Sequence, residues 1–132
     1  MSFLSLVIPV YNEQENIPAL VKQLGPVLAD LKKEYEILFV DDGSTDGTVE
    51  AIKKICAEDR HIKALLLSRN FGHQVALSAG LENALGDVVI TLDGDLQHPP
   101  EIIPQLIAKY EEGFDVVNTF RIETGDISDF KK

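Results

Sequence analysis

Two kinds of apolar pattern alternate along the chain. One is short and continuous: "LSLVIPV" at 4–10, "YEILFV" at 35–40, "IKALLL" at 62–67, "DVVITL" at 87–92 and "DVVNTF" at 115–120. Such runs, rich in β-branched residues and without polar alternation, predict strands covered on both faces. The other pattern has helical spacing. In "EQENIPALVKQLGPVLADLKK" the residues Ile17, Leu20, Val21, Leu24, Val27, Leu28 and Leu31 share one stripe. Pro26 interrupts that stripe and predicts a kink or break between Lys22 and Gly25. A second helix should start within "STDGT" and run through Val49, Ile52 and Ile55, with Ser44, Thr45 or Asp46 as its cap. A third covers "HQVALSAGLENAL", where Ala76, Ala79 and Gly80 form a small-residue face for close packing on a sheet. The fourth follows Pro99 and Pro100 and runs through Ile103, Leu106, Ile107 and Tyr110, with Pro104 in its first turn.

Repeated βα units predict an α/β fold: a Rossmann-like, mostly parallel sheet with helices on both faces, in a single domain. In such a sheet ligands bind outside the carboxyl ends of the strands. The polar signatures fall there: "PVYNE" after the first strand, "DDGSTDGT" after the second, "SRNFGH" after the third and "DGDLQH" after the fourth. Four polar loops converging on one edge make a site.

Charge narrows the partners. With 12 basic against 22 acidic side chains the net charge is −10, which argues against a nucleic-acid backbone. There is also no polybasic patch for an anionic membrane surface. The single cysteine, Cys56, shares a helix face with Ile52 and Ile55 and is expected to be buried and inert. "MSFLSLVIPVYNE" lacks the basic start and small-residue cleavage site of a signal peptide. No apolar run is long enough to span a bilayer.

Each loop carries its own chemistry. Asp93 and Asp95 offer hard oxygen ligands, Gln97 adds a carbonyl oxygen, and Gly94 lets the backbone turn so that both carboxylates face one point. Magnesium or manganese suits such a set, taking its other ligands from water and substrate phosphates. An isolated D-x-D is also what a capped turn looks like; its place at a strand end beside three other polar loops favours the metal. In "DDGSTDGT" three carboxylates would repel a bare phosphate, so Asp42 is better read as an acceptor for a base N–H in a turn shaped by Gly43. Thr45 and Asp46 read as an Asx-type turn and helix cap. Tyr11 is a ring able to stack on a flat ligand, and Glu13 an acceptor. Arg69 is a cation for a phosphate or a carboxylate, and His73 a helix-start residue.

Together "LSLVIPVYNEQENIPAL", "EILFVDDGSTDGT", "LSRNFGHQVALSAGL" and "GDVVITLDGDLQHPPE" resemble the family 2 inverting glycosyltransferases of the GT-A fold. More narrowly they are similar to the polyprenyl-phosphate glycosyltransferases, such as dolichol-phosphate mannose synthases and bacterial undecaprenyl-phosphate glucosyl- or aminoarabinosyltransferases. The likeness covers about residues 4–121. It implies transfer of a sugar, with inversion, from a UDP- or GDP-linked donor to a lipid-phosphate or saccharide acceptor. By the same resemblance Pro9, Tyr11 and Glu13 line the nucleotide pocket, joined by Arg69, and Asp42 contacts the base. Asp93 and Asp95 hold Mg2+ or Mn2+ and the sugar diphosphate, with Gln97 beside the metal, and these three form the catalytic set. Relatives continue past the fifth strand with an acceptor half, of which Arg121 matches the start; "RIETGDISDFKK" does not supply the rest, and Asp126 and Asp129 are not substitutes. Residues 1–132 are therefore expected to be the N-terminal nucleotide-sugar-binding part. A non-catalytic nucleotide-sugar-binding module is the alternative for that part alone. The implied setting is cytoplasmic, with the full-length protein at the cytoplasmic membrane face through segments this sequence lacks.

Rival readings fit less well. A receiver domain needs its acidic pair after the first strand, a phosphorylatable Asp after the third and a Lys near the fifth. Here the pair follows the second strand, the third ends in Ser68 and Arg69, and the fifth runs into Arg121. A haloacid-dehalogenase-type phosphatase expects its D-x-D on an early strand, followed by Gly-Thr. No G-x-G-x-x-G marks a dinucleotide site.

Overall fold

The computed structural model describes residues 3–92 and 102–111. Four strands, β1 (Phe3–Val10), β2 (Glu34–Asp41), β3 (Ile62–Leu66) and β4 (Val88–Thr91), alternate with four helices. These are α1 (Asn16–Asp30), α2 (Thr48–Glu58), α3 (His73–Asn83) and α4 (Ile102–Glu111). All strand pairs are parallel, in the order β3-β2-β1-β4. The fifth strand expected at 115–120 lies outside the described residues, as do the side chains of Leu106 and Tyr110.

β1 is central, and its unbroken apolar run is explained by burial on both sides. Leu4, Leu6, Ile8 and Val10 join Ile37 and Phe39 of β2 on one face. There they meet Ile17, Leu20, Leu24 and Leu28 of α1, Ile52 of α2, and Ile103 and Ile107 of α4. Val7 of β1 and Leu38 and Val40 of β2 face the other way, onto Ala76 of α3. Pro9 is tolerated inside this strand for a directional reason. The Val10 carbonyl accepts from Asp42 in the β2 chain, while the Val7 carbonyl accepts from Leu92 in the β4 chain. Alternation therefore points Pro9's missing N–H toward β4, where the described ladder has already ended at Val7–Thr91.

Two local expectations meet the structure differently. Of the kink or break near Pro26 the break does not occur: α1 runs unbroken through the proline. The proline and Lys22, whose carbonyl loses its partner, are both exposed, so that carbonyl is open to solvent. Leu24 and Leu28 on either side are fully buried and hold both halves on the same face. The N-cap of α2 is Gly47 rather than Ser44, Thr45 or Asp46. Asp46 still acts one position early, accepting from the Thr48 N–H at 2.9 Å and the Thr48 hydroxyl at 2.5 Å. Cys56 packs half-buried against the larger core, and burial pushes its thiol pKa up, in keeping with an inert thiol.

α3 approaches the sheet through Gly80. A Cβ there would stand 2.5 Å from Val7 Cγ1 and 2.9 Å from Val40 Cγ2. At the opposite end of the sheet from the polar loops, Glu36 is buried at 2% exposure and organises the α3–β4 connection. Its Oε2 accepts from the Ser5 hydroxyl at 2.6 Å and the Leu85 N–H at 2.9 Å, and its Oε1 from Lys63 Nζ at 3.1 Å. Ser5 Oγ in turn accepts from the Gly86 N–H. Burial alone would raise the Glu36 pKa; the Leu85, Ser5 and Lys63 donors outweigh it and hold the carboxyl below the ordinary glutamate range.

Two predictions follow from these contacts. Gly80→Ala should destabilise the fold by about 1–3 kcal/mol through overpacking, despite alanine's better helix propensity; urea denaturation measures it. Because the folded-state pKa of Glu36 is depressed, its stabilisation is present above the ordinary glutamate range and lost as pH falls through the folded value. Glu36→Gln should thus be less stable than the parent at neutral pH, with the gap narrowing in acid, as read from denaturation midpoints over a pH series.

Candidate nucleotide site

The register brings three strand ends level. Val10 lies opposite Asp41, and Asp41 opposite Leu66, so Tyr11, Asp42 and Leu67 leave the sheet side by side. β4 ends on the same edge, with Leu92 donating to the Val7 carbonyl at 3.0 Å. Asp93 follows directly. Asp93, Asp95 and Gln97 themselves lie outside the described residues. Among the described residues no group of three His, Cys, Asp or Glu side chains is placed to hold a metal ion.

The acidic pair at the end of β2 divides its work between the two faces of the sheet. Asp41, 1% exposed, accepts from the Ser44 hydroxyl at 2.5 Å and the Ser44 N–H at 3.0 Å, closing an Asx-type turn. Asp42, 4% exposed, turns the other way toward the β3–α3 loop. Its Oδ1 accepts from the Phe71 N–H at 2.8 Å; its Oδ2 accepts from the Gly72 N–H at 3.1 Å and from Asn70 Nδ2 at 3.3 Å. A carboxylate offers about four lone-pair directions, so three are spent on the loop and one is left. Gly43 makes this approach possible. It has φ of +75°, and a Cβ there would collide with the backbone of Arg69 and Asn70.

The remaining residues surround this pair. Pro9 is buried in β1, while Tyr11 is 42% exposed at the rim. Arg69 is exposed, its guanidinium 4.5 Å from the centroid of the Phe71 ring. Glu13 Oε1 accepts from Asn16 Nδ2 at 2.7 Å, and the Glu13 N–H donates to Thr48 Oγ1 at 2.9 Å. A polar recess of about 250 Å³ opens beside it, lined by Asn12, Glu13, Gln14, Glu15, Asn16 and Asp46. His73 opens α3, as its position implied. Sequence reasoning missed Asn12, Gln14, Asn70 and Phe71. The signal for Asn12 was its residue type, since asparagine tolerates a positive φ and here has +54°. Nothing local marked Asn70 or Phe71, because their partner is 28 or more positions away.

Asp42 thus staples the β3–α3 loop to the sheet. Asp42→Asn would leave one oxygen and set an NH2 group against backbone donors, at a cost of about 1–3 kcal/mol. The loop should open, and tryptic cleavage after Arg69 should accelerate relative to the other basic sites.

The Glycosyl transferase family 2 profile matches residues 5–132. The undecaprenyl-phosphate 4-deoxy-4-formamido-L-arabinose transferase of Salmonella choleraesuis (strain SC-B67) is 52% identical over 118 residues, 89% of this chain and 36% of that protein. The chain therefore spans little more than a third of that relative's length. S. aureus TarS 1-349 in complex with UDP-GlcNAc superposes with a TM-score of 0.60 at 28% identity, over 85% of this chain and 32% of that one. The mannosyltransferase PcManGT from Pyrobaculum calidifontis, in complex with GDP-Man and Mn2+, gives 0.59 at 25% identity, over 71% of this chain and 28% of that one. The parallel sheet, its polar edge and these likenesses agree: the chain belongs to glycosyl transferase family 2 and has the GT-A fold.

Proposed function

We propose that these residues form the donor-binding part of an enzyme that transfers a sugar from a nucleotide diphosphate to a polyprenyl phosphate, with inversion and a divalent metal. One observation carries the reading: Tyr11, Asp42 and the exit of β4 stand on a single sheet edge. Its support on the acceptor side is the Salmonella relative, named as an undecaprenyl-phosphate transferase.

In this scheme the Tyr11 ring stacks on the base, and Asp42 gives its one remaining lone-pair direction to a base N–H. Pro9 and Glu13 line the pocket, and Arg69 lies toward the phosphates. Asp93, Asp95 and Gln97 would hold Mg2+ or Mn2+, a donor set of hard oxygens suited to either ion. The bound ion would neutralise charge on the departing nucleoside diphosphate. In the reaction an acceptor phosphate oxygen bonds to the anomeric carbon from the face opposite the leaving group. The bond from that carbon to the diphosphate oxygen breaks, and its electron pair leaves with the nucleotide. A phosphate monoester has a second pKa near about 6, so a polyprenyl phosphate is largely ionised and needs positioning more than deprotonation. Among the described residues no helix is long and apolar enough to cross a membrane. Contact with a lipid acceptor at the cytoplasmic face would then rest on residues beyond those described.

In a second reading these residues bind the donor without transferring sugar on their own. A thermal-shift panel of UDP-, GDP- and dTDP-sugars, with and without Mn2+, tests the common core of both. The melting temperature should rise only with nucleotide and metal together, and Asp95→Ala should abolish the metal-dependent part. Transfer of radiolabelled sugar to a polyprenyl phosphate, by this chain and by one extended through the acceptor half, separates the two readings.

A further inference from the structure

The loops after β1 and β2 are tied to each other by several hydrogen bonds. The Asn12 N–H donates to Ser44 Oγ at 2.8 Å, and the Thr45 N–H returns to Asn12 Oδ1 at 2.8 Å. Farther along, the Glu13 N–H reaches Thr48 Oγ1 at 2.9 Å, and the Gly47 N–H reaches Gln14 Oε1 at 3.0 Å. Asn12 is the residue that both gives and receives across the gap. Its partner Ser44 is fixed from below by the buried Asp41 carboxylate, through bonds of 2.5 and 3.0 Å. Asn12 also adopts a left-handed backbone, φ +54°, which side-chain-bearing residues seldom take without local compensation.

Tyr11 sits between two fixed points. On one side Val10 is locked in the ladder opposite Asp41; on the other Asn12 is held by Ser44 and Thr45. Among the described residues the Tyr11 ring has no aromatic partner and its hydroxyl no hydrogen bond, so the backbone on either side is what fixes the point from which the ring projects. The apolar cores on both sheet faces lie below this clamp and do not include its residues. Breaking it should move the loops without unfolding the sheet.

We infer that Asn12 and Ser44 are positioning residues: the Asp41–Ser44–Asn12–Thr45 relay fixes the distance between the Tyr11 ring and the Asp42 carboxylate, and so sets affinity for the donor's nucleoside. The inference rests on the nucleotide-site reading above.

Calorimetric titration with UDP, GDP or dTDP, each with Mn2+, tests it on the parent chain, Asn12→Gly, Ser44→Ala, their double variant and Asn12→Asp. Melting temperature is measured on each without ligand. Asn12→Gly permits the left-handed backbone and keeps the N–H to Ser44 but removes the side chain whose oxygen Thr45 bonds, whereas Asn12→Asp keeps an accepting oxygen there. Asn12→Gly and Ser44→Ala should each raise Kd about tenfold. The double variant should also be about tenfold weaker, not a hundredfold, because both changes break one relay. Asn12→Asp, which keeps an oxygen to accept from the Thr45 N–H, should bind within about threefold of the parent. A lowered melting temperature with unchanged Kd would make the relay a purely structural tie and overturn the inference. Additive losses would overturn it as well, since they describe two independent contacts. If the parent binds none of the three nucleotides, the site reading fails and takes this inference with it; a parent that binds one of them while Asn12→Gly binds it equally well sinks the relay alone.

Discussion

A parallel ladder puts the end of every described strand on one edge, and that constraint governs the rest of the molecule. Parallel neighbours cannot be joined by tight hairpins, so each crossover needs a helix, and the helices must cover both faces. The continuous apolar runs of β1 and β2 are the consequence. So is the site, because each βα loop opens at the carboxyl edge whatever residues it contains. Chemistry then depends only on what those loops carry. Here they carry Tyr11, Asp42 and Arg69, with the D-x-D following β4.

The buried acids show the two uses a sheet makes of charge. Glu36 sits at the amino end of the strands, enclosed by a hydroxyl, an amide and an ammonium. Its four lone-pair directions are nearly used up, and its role is to close the α3–β4 connection. Asp41 and Asp42 sit at the carboxyl end, where donors come from loops instead of strands. Each of those loops is held by one carboxylate, so its shape follows that carboxylate. A polar network in a low-dielectric setting is costly when half-satisfied. Two such networks lie at the carboxyl edge, and on the proposed reading their fixed geometry would lower the ordering cost of binding there.

Much of this was legible from periodicity alone. The strands at 4–10 and 35–40, the stripe from Ile17 to Leu28 and the small-residue face at Ala76 and Gly80 are local patterns, and burial follows local pattern when a sheet is covered on both sides. The break at Pro26 misled because a proline's penalty depends on which way the orphaned carbonyl points, and that is a property of the packed helix. The cap of α2 misled for a related reason. Ser44 was already committed to Asp41, and Thr45 to Asn12, so the turn chemistry was spent across the loop rather than on the helix. Of the site, Tyr11, Glu13, Asp42 and Arg69 could be placed on one edge from strand order. Asn70 and Phe71 could not, since their contact with Asp42 depends on Gly43 letting two distant segments touch.

That last dependence connects loop identity to recognition. The acceptor capacity of Asp42 is shared between the molecule and any ligand: three donors belong to residues 70–72 and one direction remains. A ligand edge with one N–H can be satisfied there without disturbing the loop. An edge presenting two adjacent N–H groups would have to displace a loop donor, and the loosest is Asn70 at 3.3 Å. If this edge takes a nucleoside as proposed, its choice is coupled to how tightly the β3–α3 loop is held, and a change at Asn70, whose side chain is the donor, would alter that choice without touching Asp42 itself.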